Sequence, residues 1–111
     1  MAKRVPSGLV PVLDELVLGL RERYGSRLAM AKLFGSHSRG DASEESDIDV
    51  LVAIEALTND ELYDVVAYAA TIASTYNVPL RPLAMSLAEY EALRKGERLL
   101  YVEIEKDGVA L

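Results

Sequence analysis

Ile48, Val50, Val52 and Ile54 alternate with Asp47, Asp49 and Leu51. A period of two places successive side chains on opposite faces, as only a β-strand does; a helix would scatter the same residues around its circumference. The centre of the chain is therefore a strand, and a strand needs a sheet. A second short apolar run, residues 28–34, ends at Gly35-Ser36, and its length and bounds suit a buried strand. The polar stretch between them, residues 37–46, contains Gly40 and reads as a turn or short helix.

Helical signals surround these strands. Leu9, Val12, Leu13, Leu16, Val17 and Leu20 recur at helical spacing, and Gly25 is placed to end that helix in the left-handed conformation. Thr58-Asn59-Asp60-Glu61 forms a capping box, which predicts a helix to about Tyr76 with Leu62, Val65, Val66, Ala69 and Ile72 or Ala73 inward. Residues 78–85 read as a strand, and Pro79 and Pro82 make it an edge or bulged one. Ser86-Leu87-Ala88-Glu89 is a second capping box, opening a helix that Gly96 closes. Residues 99–104 are a further short helix or turn, and a turn at Lys106-Asp107-Gly108 delivers residues 109–111 as a terminal strand. The order predicts an α/β (α+β) fold: a mixed β-sheet flanked by helices, in a single domain spanning residues 1–111.

Composition narrows the chemistry. Half of the 111 residues are apolar and 27% are charged, which suits a soluble globular chain. The absence of cysteine excludes disulfides, zinc thiolates and thiol nucleophiles. A single histidine, His37, rules out a His-based metal site. Chemistry must come from carboxylates and hydroxyls. Lys3 and Arg4 precede an apolar stretch, but Asp14 and Glu15 interrupt it well short of a membrane span, so the expectation is a cytoplasmic protein with no membrane contact.

The net charge of −6 speaks against a partner gripped as bare nucleic acid. That charge is local. Between Gly40 and Leu80 there is no Lys or Arg but nine acids, leaving 12 basic and 9 acidic residues elsewhere. The acids are densest from Asp41 to Asp49. Asp47 and Asp49 leave the same face of the expected strand, where two carboxylates repel and lose solvation. A hard divalent cation such as Mg²⁺ relieves both effects, taking one or two carboxylates together with water and phosphate oxygens. A bare Asp-x-Asp also fits an ordinary solvated strand face. The Phe34-Gly35-Ser36 turn lets a phosphate approach the backbone, with the Ser36 hydroxyl as donor and Arg39 about one turn later for phosphate oxygens. Taken alone, it also fits a plain strand-to-turn connection.

The two elements together are more specific. Gly35-Ser36 is followed by ten residues and then Asp47-Ile48-Asp49, with apolar strands on both sides. This resembles the signature of the DNA polymerase β-like nucleotidyltransferase superfamily. Gly-Ser-x-x-Arg-Gly at Gly35–Gly40 and Ser-Asp-Ile-Asp-Val-Leu-Val from Ser46 are similar to its minimal nucleotidyltransferase (MNT) branch, which includes the MntA-like antitoxins of HEPN/MNT toxin–antitoxin systems. The resemblance implies that Gly35 and Ser36, with Arg39, bind the triphosphate of ATP or another NTP. It further implies that Asp47 and Asp49 are the catalytic pair and hold Mg²⁺. An acceptor hydroxyl then attacks the α-phosphate and pyrophosphate leaves. The implied partner is a HEPN-type toxin whose tyrosine accepts AMP; homo-oligomerisation is left open.

One departure stands out. The family places a third carboxylate on the strand after the long helix, yet residues 65–88 contain no Asp or Glu, and Pro79 or Arg81 stands in that region. Three consequences follow as alternatives. Asp41 or Glu44 substitutes, catalysis is weak, or the chain is a silent nucleotide-binding antitoxin that neutralises its partner by contact.

Overall fold

The computed structural model describes residues 5–43 and 46–111. A 3-10 turn at Ser7–Leu9 leads into α1 (Val10–Tyr24), and a second at Gly25–Arg27 leads into β1 (Leu28–Phe34). Then follow α2 (Ser36–Arg39), β2 (Ile48–Ile54), α3 (Asn59–Tyr76), β3 (Leu80–Ser86), α4 (Leu87–Gly96), α5 (Arg98–Asp107) and β4 (Val109–Ala110). The four strands form one mixed sheet in the order β3-β2-β1-β4. β1 runs antiparallel to β2 and β4, while β2 and β3 are parallel. The β2–β3 crossover is α3, the helix a parallel pair requires.

The alternation in β2 sorts the core into two layers. Ile48, Val50, Val52 and Ile54 point to one face, where they pack with Leu13, Leu16 and Leu20 of α1 and Val65, Ala69 and Ile72 of α3. Leu51 and Ala53 point to the other, where Phe34, Met85, Tyr90 of α4 and Ile104 of α5 cover them. β2 is therefore buried on both faces except at its first turn, where Asp49 stands on the α4/α5 side. The sheet is flanked by helices on both sides, as the order of elements predicts.

Both capping boxes form. Thr58 and Ser86 each accept from the amide three residues on, and Glu61 and Glu89 reach back. β3 is an edge strand, which tolerates Pro82, but it begins at Leu80 rather than residue 78. Val78 instead donates to the Ala73 carbonyl and closes α3, so the chain cannot enter the sheet before Pro79. α5 is longer than the expected 99–104 and absorbs Lys106 and Asp107.

Two expectations fail locally. Val66 is 44% exposed, because the inward stripe of α3 runs through Val65, Ala69 and Ile72 and leaves its neighbour on the flank. Gly25 has φ 55° but ψ −131°, outside the left-handed helical well. This backbone region is open to glycine alone, and it turns the chain directly into the second 3-10 turn.

An ion pair fastens that turn to the start of α3. Arg27 donates to both Glu61 carboxylate oxygens at 2.8 Å, from Nη1 and Nη2. The Arg27 hydrogen bond, aided by the Thr58 amide, holds the Glu61 pKa at about 2 instead of 4.5. A depressed folded-state pKa means the contribution is complete above pH 4.5 and is lost as pH falls towards 2. We therefore expect Glu61→Gln to be less stable than wild type at pH 7 and to lose less on acidification through that window. Urea unfolding at pH 7, 4.5 and 3 measures it; parallel curves for the two proteins would refute the assignment.

Candidate active site

Three strands bring the candidate residues to one end of the sheet. Phe34, the last residue of β1, pairs with Asp49 of β2, and Asp49 lies in register with Arg81 of β3. Asp47 directly precedes β2. The place where the resemblance puts a third carboxylate is thus filled by a guanidinium. Arg81 donates from Nε to Asp49 Oδ1 at 2.7 Å, its Nη2 lies 2.7 Å from the same oxygen, and its Nη1 lies 3.3 Å from Asp47 Oδ2. The Asp49 hydrogen bond raises the Arg81 pKa further above its ordinary value, so the cation is permanent. Exposure differs among the three side chains: 14% for Asp49, 48% for Asp47 and 66% for Arg81.

Gly35 forms the floor beside Asp49. Its φ of 79° and ψ of −155° belong to a region that side chains do not enter. A Cβ at this position would lie 2.5 Å from Asp49 Oδ2, so the backbone approaches the carboxylate only because there is no side chain. Gly35 caps α2, whose first-turn amides have no partner within the helix. Buried Ser38 donates from Oγ to the Gly35 carbonyl at 2.8 Å and braces the turn.

The other candidates spread over this rim. Ser36 opens α2 and is half-buried. Arg39 closes α2, and its guanidinium faces acids: Asp41 at 3.2 Å, Glu103 at 3.3 Å and Asp107 at 3.7 Å. His37 is half-buried, and its Nε2 lies 3.1 Å from the Ser46 carbonyl, which ties α2 to the approach to β2. Asp41, a substitute acid by sequence, gives its carboxylate to Arg39. Glu44, the other substitute, lies outside the described residues.

A cavity of about 420 Å³ adjoins Asp49 and Arg81, with Phe34, Leu83 and Leu100 as apolar lining and Glu103 as a further carboxylate. Sequence reading does not find Glu103. It sits on α5 between Val102 and Ile104, in no motif, and reaches the rim only because α5 packs across the sheet face. Among the described residues no group of three or more acidic or histidine side chains is placed to hold a metal ion, so Asp47 and Asp49 stand as a pair. No helix among the described residues is long and apolar enough to cross a membrane.

Comparisons with known proteins give the family. The family model for the nucleotidyltransferase domain matches residues 13–110. A candidate protein adenylyltransferase of Methanocaldococcus jannaschii is 28% identical over 76 residues, covering 68% of this chain and 77% of that protein. Another from the same organism is 48% identical over 40 residues, and the protein adenylyltransferase MntA of Thermococcus cleftensis is 50% identical over 38. These last two alignments cover 36% and 34% of this chain and only 40% and 36% of the relatives' own lengths. A solved structure described as a candidate minimal nucleotidyltransferase superposes with a TM-score of 0.63 at 25% identity, covering 94% of both chains. A toxin–antitoxin crystal structure with AMP-PNP superposes with a TM-score of 0.58 at 22% identity, covering 87% of this chain and 70% of that one, which shows a shared fold. With the family model extending from α1 to β4 and the fold shared along its length, the chain belongs to the nucleotidyltransferase domain family.

Proposed function

We propose that this chain transfers a nucleoside monophosphate, AMP from ATP, to a hydroxyl of a partner protein in the cytoplasm, serving as the antitoxin of a HEPN/MNT-type pair. The observation that carries this reading is the paired carboxylates of Asp47 and Asp49 at the strand ends, beside a glycine that only an unhindered backbone accommodates. Relatives named as protein adenylyltransferases support AMP as the group moved, and the toxin–antitoxin neighbour supports a toxin as partner.

The carboxylates suit Mg²⁺. Two hard oxygen donors already share one cation, the Arg81 guanidinium, and two carboxylates with water and phosphate oxygens form an ordinary magnesium set. When bound, the ion supplies charge neutralisation and alignment at the phosphates. Asp47 and Asp49 hold it; Gly35 and the first turn of α2 lend backbone amides to the triphosphate; Ser36 adds a hydroxyl donor. Arg39 faces the same rim and contributes positive charge to the phosphates in exchange for its acidic partners. The hydroxyl oxygen attacks the α-phosphorus in line and gives up its proton to solvent water, the bond from the α-phosphorus to the α,β-bridging oxygen breaks, and pyrophosphate departs with that oxygen.

A second reading has its own observation. Arg81 occupies both carboxylates where a third acid belongs, which favours an antitoxin that binds nucleotide weakly and neutralises by contact. Labelled ATP, Mg²⁺ and the product of the adjacent gene separate the two. Label on the partner that disappears with Asp47→Asn/Asp49→Asn establishes the transferase. No label, with neutralisation intact in the double variant, establishes the contact antitoxin.

A further inference from the structure

The carboxylates of a metal-dependent transferase rarely lack company, and here the company belongs to the chain itself. Arg81 makes three short contacts across Asp47 and Asp49. The guanidinium and an incoming divalent ion compete for the same oxygens, Asp49 Oδ1 above all. Arg81 is also the most exposed of the three side chains, on an edge strand, next to a cavity open enough to receive it. Among the described residues its hydrogen bonds and ion pairs go to Asp47 and Asp49.

We propose that Arg81 is a mobile resident cation of this site: it holds Asp47 and Asp49 in the nucleotide-free chain and passes to the nucleotide's phosphates when a divalent cation takes the two carboxylates. This rests on the transferase-type reading of the site given above. The charges make the exchange conditional. Two carboxylates and one guanidinium carry a net −1; adding a divalent ion makes this set +1 and displaces the guanidinium, while the further carboxylate on the cavity, Glu103, is already engaged by Arg39. That state is unfavourable until an anion arrives to receive the guanidinium, and a triphosphate is such an anion. Metal and nucleotide therefore bind as one coupled event, each raising the affinity of the other by the same factor. A third carboxylate at position 81 would have the opposite effect and would draw metal to the empty site.

Mn²⁺ is the probe, its free concentration followed by electron paramagnetic resonance during titration with the nucleotide-free full chain. Wild type is expected to bind weakly, and Arg81→Ala up to about fivefold more tightly, the equivalent of one exposed ion pair no longer competing with the ion. Arg81→Lys, which keeps the charge, should stay near wild type. Adding AMP-PNP should tighten Mn²⁺ binding strongly in wild type and much less in Arg81→Ala. Equal Mn²⁺ affinity in wild type and Arg81→Ala overturns the proposal. A third protein, Arg81→Ala with Asp47→Asn and Asp49→Asn, separates the two levels of the argument. If it keeps the full Mn²⁺ affinity of Arg81→Ala, the ion lies elsewhere and the reading of the site itself falls. If it loses that affinity while wild type and Arg81→Ala bind alike, only the role of Arg81 falls. Position 81 is exposed and Asn is nearly isosteric with Asp, so all variants should fold, and thermal unfolding verifies this.

Discussion

Asp49→Asn is expected to lower nucleotidyl transfer on the order of a thousandfold or more, with little change in stability. The charge is what matters at this position, since the amide is nearly isosteric with the carboxylate. Asp49 is the more enclosed of the pair, touches Arg81 through two nitrogens, and faces the Gly35 backbone. A ligand held there has little room to find another oxygen. Asp47 is more exposed and makes one longer contact with Arg81. Its replacement by Asn should cost less, about a hundredfold, because water can take the vacated coordination position. The Arg81 contacts lie at an exposed rim, where ion pairs contribute roughly 0–1 kcal/mol, so neither variant should melt much below wild type. Transfer of labelled AMP to the partner, alongside thermal unfolding, tests both. Full transfer by Asp49→Asn would exclude this carboxylate from the chemistry.

Gly35→Ala should damage both folding and transfer. The backbone strain of a side chain at φ 79°, ψ −155° costs about 1–3 kcal/mol. In a chain of this size, that lowers the melting temperature by roughly 4–8 °C per kcal/mol. The new methyl also meets Asp49 Oδ2 and must push either the carboxylate or the α2 turn away. Gly25→Ala provides the contrast. Gly25 likewise has a positive φ, but its Cβ would meet nothing within 4 Å. The second variant should lose stability alone and keep its transfer rate per folded molecule, measured below its melting range. If Gly35→Ala retains wild-type transfer per folded molecule, close approach at this glycine has no catalytic meaning.

The contrast between these glycines illustrates what sequence alone can carry. Local physics wrote most elements legibly: the alternation at Ile48–Ile54, the helical stripe from Val12 to Leu20, and the two capping boxes each depend on residues within a few positions of one another. The spacing of Gly35-Ser36 and Asp47-Ile48-Asp49 was legible for the same reason, because one strand, one turn and the next strand bring those residues together. The sequence also showed that the strand after α3 lacks an acid. That Val66 lies on the flank was not legible, since the edge of a helix's buried stripe depends on how the helix is rotated against its neighbours.

Sequence by itself therefore determined the elements, their order, an Asp-x-Asp at the start of the central strand, of which β2 takes in Asp49 and leaves Asp47 just outside, and the lack of an acid on the strand after α3. Tertiary structure alone decided what stands in that acid's place and what surrounds it. The parallel register of β2 and β3 sets Arg81, rather than Pro79, beside Asp49, and a shift of one residue would have turned it to the other face. The packing of α5 on the sheet brings Glu103 to the same cavity and to Arg39. These are contacts between residues far apart in the chain, selected by the burial of two whole sheet faces, and no local pattern encodes them.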